Sequence, residues 1–317
     1  MRPSLFKSSI SELRNLFGDR LQENVSMANY TTARVGGNAE AMLIAHTTED
    51  LEKAAQKLWE HDVPFYLLGA GSNILVSDKG LSGVVIINRA RNIKIDAHSD
   101  PVTVLAESGA NLGSVARQVA LRGLSGLEWA ATIPGSVGGA VYGNAGAHGG
   151  DMAGNLVLAE ILHRNQGKQT WNLEQMAYSY RSSALKRNPG QAIILSARMK
   201  LTSSTQQSVQ ERMDANSAQR RQTQPPGASL GSMFKNPADD YAGRLIEAAG
   251  LKGARLGGVE ISPIHANFFV NNDQATASDI WKMIQTARNA VQKKFGITLE
   301  LEVELLGEWD LYDGSTL

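Results

Sequence analysis

The sequence predicts an α+β protein, with mixed α/β character, laid out in three successive parts. Three observations carry that reading. Short apolar runs alternate with helical patterns along most of the chain. Two glycine-rich runs, Gly69-Ala70-Gly71-Ser72-Asn73 and a longer one over 133–150, interrupt the alternation. A linker, Pro225-Pro226-Gly227, stops a long polar stretch of helical character. At 317 residues the chain is long enough for two or three domains and a sizeable core. Boundaries fall near 88–92, at Arg89-Ala90-Arg91-Asn92, and near 222–228, at the proline pair, giving parts 1–90, 91–222 and 223–317.

Each element has a local reason. Thr47 and Thr48 can cap a helix whose first turn carries Glu49 and Asp50, which suits the positive end of the helix dipole. Leu51, Ala54, Ala55, Leu58 and Trp59 form its apolar face. Residues 63–68 read as the next strand and lead into the first glycine run; 84–87 read as another. Asn111 caps a helix with Leu112, Val115, Ala116 and Val119 on one face, expected to end at Gly123. A polar helix is expected over 205–222, a short one around Leu245 and Ile246, and a longer one over 277–295. That last helix presents Ile280, Ile284, Ala287 and Val291, and Gly296 ends it.

Composition excludes several functions. Lys and Arg total 31, as do Asp and Glu, so no basic surplus points to nucleic acid or an anionic membrane. With no cysteine there is no disulfide, thiolate metal site or cysteine nucleophile, which suits a reducing compartment. The start of the sequence has no signal pattern, and no apolar stretch reaches the roughly 18 residues that a membrane span needs. A soluble cytoplasmic protein, and a monomer, is the expectation. The six histidines are scattered; none forms His-x-x-x-His and none near His148 completes a ligand set, so no protein-bound metal is expected.

Candidate chemistry sits in four places. Gly69, Gly71, Ser72 and Asn73 follow a strand, as a phosphate-binding loop does: small residues let backbone N–H groups approach an anion. The Rossmann fingerprint fails because Ile74 occupies its third glycine position, and no Gly-Lys-Ser/Thr completes a P-loop. A tight strand-to-loop turn explains this run equally well. The second run, with Pro134, Gly135, Gly138, Asn144 and Gly146, implies a backbone lying close to a ligand or to another backbone, a sharp irregular loop being the alternative. Ser232 lies in Gly231-Ser232-Met233-Phe234-Lys235-Asn236-Pro237, where a cation and an amide can sit beside its hydroxyl; local sequence alone favours a cap or turn serine. Finally, Ile297, Leu299, Leu301, Val303 and Leu305 alternate with polar residues. Period two places Glu300, Glu302 and Glu304 on one face, with next neighbours about 6.6–6.8 Å apart. A solvated sheet face is the simpler reading of that strand.

Taken in order, Tyr30-Thr31-Thr32-Ala33-Arg34-Val35-Gly36-Gly37, the run 69–73, the run 133–149, Tyr180-Arg181-Ser182-Ser183, the run 231–237 and the segment 299–307 closely resemble the UDP-N-acetylenolpyruvoylglucosamine reductase (MurB) family. The resemblance extends over about 20–308, and the short passage from Arg181 to a strand at 191–200 resembles the type II branch. It implies a two-part FAD-binding region of the vanillyl-alcohol-oxidase type, which needs no Rossmann fingerprint, and a smaller α/β substrate-binding domain. It implies a flavoenzyme that takes hydride from NADPH and reduces the enolpyruvyl group of UDP-N-acetylglucosamine enolpyruvate in peptidoglycan synthesis. By motif, Gly69, Gly71, Ser72 and Asn73 would hold the FAD pyrophosphate, while Arg34, Pro134, Gly135, Gly138, Asn144 and Gly146 would line the rest of the FAD site. Arg181, Ser232 and Glu302 match the catalytic trio; Tyr180, Lys235 and Asn236 would meet substrate, with Lys235 assisting the serine. One departure is Thr223, where family members often carry a lysine, leaving Arg220 or Arg221 to meet the nucleotide phosphates. Another FAD-dependent oxidoreductase of the same fold, or a non-catalytic flavin- or nucleotide-sugar-binding protein, are the alternatives.

Overall fold

The computed structural model describes residues 10–309, residue 273 excepted. A four-stranded sheet comes first, in the order Gln22–Ser26, Asn38–Ala45, Leu81–Asn88, Phe65–Leu68, with the first pair antiparallel and the others parallel. The helix Thr48–Glu60 makes the crossover between Asn38–Ala45 and Phe65–Leu68. Thr47 caps it by accepting from the Asp50 N–H at 3.1 Å. Its buried Leu51, Ala54, Ala55 and Leu58 join one core with Leu43, Val84 and Ile86 of the sheet. Leu162, Ile193 and Leu195, from the next sheet, lie in that same core.

That next sheet has five antiparallel strands in the order Gly167–Trp171, Leu156–His163, Ala192–Lys200, Thr103–Glu107, Ile93–Asp96. Against it pack the helix Leu112–Ala120, capped by Asn111, and the helix Val137–Gly143. The first of these stops at Ala120, short of the expected Gly123, which turns the chain three residues later at φ +67°. The polar helix Gln206–Thr223 follows.

After the proline pair come the helix Ala242–Ala248, three short antiparallel strands over 255–271 and the helix Ala277–Phe295, which ends at left-handed Gly296. The core of this part is completed by residues from the first: Ala33, Val35 and Leu75. Polar ties repeat the connection. Thr32 Oγ1 donates to the Ser229 carbonyl at 2.7 Å, and Asn271 Nδ2 to that of Ala33 at 2.9 Å. Asp78 accepts from the N–H groups of Ala277 and Ser278 and from the Ser278 hydroxyl. A carboxylate from the first sheet region thus satisfies donors at the start of a helix 199 residues later.

The C-terminal alternation is only partly a regular strand. Glu304–Leu306 pairs in parallel with Ile74–Val76, while residues 297–303 are irregular apart from a bridge between Leu301 and Phe234. Leu299 and Val303 are nonetheless buried, as period two requires. The irregular stretch is held by the serine segment instead of a sheet neighbour, as described next.

Candidate active site

The two glycine-rich runs meet. Ser72 Oγ donates to the Pro134 carbonyl at 3.0 Å. A Cβ on Gly69 would lie 2.1 Å from Ser136 Oγ, and one on Gly71 only 1.9 Å from the Tyr30 carbonyl oxygen. Gly71 also has φ +63°, so both space and backbone conformation demand glycine there. The loop's carbonyls are engaged: that of Gly71 accepts from Thr32 N–H and that of Asn73 from Glu304 N–H, each at 3.0 Å. The N–H groups of Gly71, Ser72 and Asn73 have no carbonyl acceptor among the described residues. Successive free N–H groups in a glycine turn form an anion-binding concavity, so the residues present fit the pyrophosphate of a dinucleotide cofactor. Gly138 lies against Ser108, where a Cβ would be 2.9 Å from Ser108 Cβ. Gly135 has φ +143°, and exposed Arg34 sits between buried Ala33 and Val35.

Arg181 connects the second run to the C-terminal segment. Its Nε donates to Glu302 Oε1 at 2.7 Å, its Nη2 to the Gly146 carbonyl at 2.8 Å and its Nη1 to that of Asn144 at 3.4 Å. Asn144 ends the helix Val137–Gly143 in left-handed conformation, with φ +47°. Its side chain fixes both flanks, donating to the Ser179 carbonyl and accepting from Ala153 N–H. Tyr180 is exposed, with its ring centroid 5.2 Å from Arg181 Cζ.

The serine segment is clamped on both sides. Asn267 accepts from Phe234 N–H and donates to the Phe234 carbonyl, and both Phe234 and Met233 are buried. On the other side the segment pairs with the C-terminal stretch: Glu302 N–H donates to the Met233 carbonyl at 2.9 Å and Lys235 N–H to the Glu300 carbonyl at 2.8 Å. This short ladder places Ser232 one residue beyond the Met233–Glu302 bond. Among the described residues Ser232 Oγ has no hydrogen-bond partner. The carbonyl of Glu302 in turn accepts from Asn73 Nδ2 at 3.1 Å, so the first glycine run, the serine segment and the glutamate converge.

Each of the three glutamates holds a different cation. Glu300 pairs with Lys235, Glu302 with Arg181 and Glu304 with Lys186. Glu300 is 73% exposed, whereas Glu302 is 18% exposed. Lys235, with a side chain only 18% exposed, is paired with Glu300. Asn236 caps Ala242 N–H through Oδ1 at 3.1 Å while remaining exposed. Of the two arginines near Thr223, half-buried Arg220 donates to the Thr132 carbonyl at 2.6 Å, and burial lowers its pKa; Arg221 is exposed. Two contacts escaped the sequence reading: Asn73 to the backbone of Glu302, and Lys186 to Glu304. Nothing in the motif pattern marks Lys186.

The family model of the FAD binding domain matches residues 39–168, and that of the UDP-N-acetylenolpyruvoylglucosamine reductase C-terminal domain matches residues 222–306. The chain is 41% identical to the UDP-N-acetylenolpyruvoylglucosamine reductase of Chloroflexus aggregans over 90% of its own length and 97% of that protein's. It is 43% identical to the Synechocystis reductase over 92% of both. The crystal structure of the Thermus caldophilus enzyme superposes with a TM-score of 0.77 at 34% identity, covering 91% of this chain and 99% of that one. Fold and site together define an FAD-dependent oxidoreductase with a separate substrate-binding part. The chain belongs to the UDP-N-acetylenolpyruvoylglucosamine reductase family.

Proposed function

We propose that this chain oxidises NADPH and reduces the enolpyruvyl group of UDP-N-acetylglucosamine enolpyruvate to give UDP-N-acetylmuramate, with Arg181, Ser232 and Glu302 around the reacting carbons. The observation that carries the assignment is the junction at which Arg181 meets Glu302 while Glu302 is bonded through its backbone to the residue after Ser232. Parts 1–90 and 91–222 supply the two glycine runs that would hold FAD, and part 223–317 supplies the serine and the glutamate. FAD bound there supplies hydride carriage from NADPH to carbon.

The chain's own residues do the rest. Hydride arriving at the substrate β-carbon leaves negative charge on the α-carbon and its carboxylate. The fixed guanidinium of Arg181, oriented by the Gly146 and Asn144 carbonyls, stabilises that charge where it develops. The Ser232 hydroxyl, without a hydrogen-bond partner among the described residues, donates its proton to the α-carbon. Glu302 holds Arg181 in place and lies where substrate carboxylate and guanidinium meet. Tyr180, Lys235 and Asn236 line the approach and contact the substrate, Lys235 exchanging Glu300 for a substrate anion. Arg221 is the better placed of the two linker arginines to reach a phosphate, because Arg220 is engaged with Thr132. Among the described residues no helix is long and apolar enough to cross a membrane, and we place the reaction in the cytoplasm.

The test is the visible spectrum of the flavin-loaded protein. Without oxygen, NADPH should bleach the flavin band, and the enolpyruvyl nucleotide should restore it. Flavin that NADPH leaves oxidised, or that the nucleotide leaves reduced, would overturn the assignment.

A further inference from the structure

Lys186 lies on no glycine run and in none of the motifs that define the site. It belongs to the single helical turn Ala184–Arg187, capped by Ser183, five residues after Arg181. Its Nζ is 3.0 Å from Glu304 Oε1, and both side chains are mostly shielded, at 19% and 34% exposure. Two ion pairs therefore run side by side between the same two segments: Arg181 to Glu302, and Lys186 to Glu304.

The two glutamates are two residues apart in the sequence, on either side of Val303. Glu304 cannot move away, because its backbone is held in the parallel pairing with Ile74 and its N–H donates to the Asn73 carbonyl. Tyr142 also faces Glu304: burial of its ring and then the Glu304 charge push it up to about 12. Tyr142 offers no positive charge, and among the described residues Lys186 is the cation paired with Glu304. Without it a fixed negative charge would stand beside the site. That charge would compete with Glu302 for the Arg181 guanidinium and oppose the carboxylate of an anionic substrate.

We propose that Lys186 is a positioning residue for the enolpyruvyl reduction: by neutralising Glu304 it leaves Arg181 to Glu302 and to the substrate carboxylate. The inference rests on the functional reading above. It predicts a particular pattern of rescue, because the harm done by losing Lys186 comes from Glu304.

The experiment follows flavin reoxidation by saturating enolpyruvyl nucleotide in a single turnover, using enzyme first reduced with NADPH. Lys186→Met is expected to slow reoxidation about tenfold, the scale of coupling between contacting groups. Lys186→Arg should keep most of the rate. The double variant Lys186→Met/Glu304→Gln should recover most of what the single variant loses, which a lysine needed only for packing would not do. Bound flavin absorbance reports whether each variant is folded; should Lys186→Met lose its flavin, Lys186→Gln takes its place in the series. A lysine variant as fast as the wild type, or a double variant no faster than the single, overturns the proposal. Wild-type enzyme that the nucleotide fails to reoxidise would instead overturn the functional reading, so the two failures are distinct.

Discussion

Arg181 and Glu302 lie 121 residues apart in sequence and meet at 2.7 Å between Nε and Oε1. The arginine comes from the part that carries the second glycine run, the glutamate from the segment that closes on the first. This contact joins the second and third parts of the chain, and the Asn73 bond to the Glu302 carbonyl brings in the first. The Arg181 contact separates Glu302 from Glu300 and Glu304, which each hold a lysine. Glu302→Gln keeps the shape, removes the charge and should slow flavin reoxidation sharply while FAD stays bound. Glu300→Gln and Glu304→Gln should act much more weakly. Single-turnover reoxidation of all three checks this; equal small effects would reduce the site to Arg181 and Ser232.

Ser232→Ala should leave flavin reduction by NADPH near normal and slow reoxidation by the enolpyruvyl substrate about 100-fold or more, the scale of general acid catalysis. The two half-reactions, measured separately by stopped flow, decide it. Unchanged reoxidation would remove the serine from the mechanism.

Gly71→Ala asks for a Cβ 1.9 Å from the Tyr30 oxygen in a left-handed backbone. The conformation alone costs about 1–2 kcal/mol, and the clash forces the loop to move. The expected result is protein purified with little flavin, read from the ratio of absorbance at the flavin band to that of protein. Full flavin content in this variant would argue that the loop does not cradle the cofactor.

Asp78→Ala removes a carboxylate that accepts three hydrogen bonds at the start of the helix Ala277–Phe295. A loss of about 1–2 kcal/mol of stability is expected, on the scale of helix caps. Asp78→Asn, which keeps an acceptor oxygen, should lose less. Denaturant midpoints measured on both variants provide the check.

His265 gives a pH dependence. Burial lowers its pKa, and its Nδ1 accepts from Asn267 N–H, which requires the neutral ring. The folded state therefore binds this proton less readily than the unfolded chain does. The contribution is fully present above the ordinary imidazole range, around 6.5, and is lost as pH falls through and below it. Thermal midpoints should drop between pH 7 and pH 5. His265→Asn should lessen that drop; an unchanged slope would assign the acid sensitivity elsewhere.

Local chemistry was legible in the sequence, and long-range chemistry was not. Thr47 as a cap and the helix over 277–295 follow from propensity and periodicity alone, and the structure has both. The alternation over 297–305 is only partly regular, since strand pairing covers only Glu304–Leu306. That Lys235 pairs with Glu300 could not be read from its place next to Ser232, because the ladder that sets the two segments against each other is long-range. Asp78 capping a distant helix, Asn73 reaching Glu302, and Lys186 neutralising Glu304 leave no local trace, since each depends on which segments the folded chain brings together.

The parallel pairing of Ile74–Val76 with Glu304–Leu306 has a consequence for biosynthesis. The ribosome delivers the chain N-terminus first, and Asn73 must wait 229 residues for Glu302. At about 5–20 residues per second that is roughly 10–50 s. Throughout that interval the Ile74–Val76 strand lacks the partner that will cover it, and an uncovered strand edge is open to pairing with another chain.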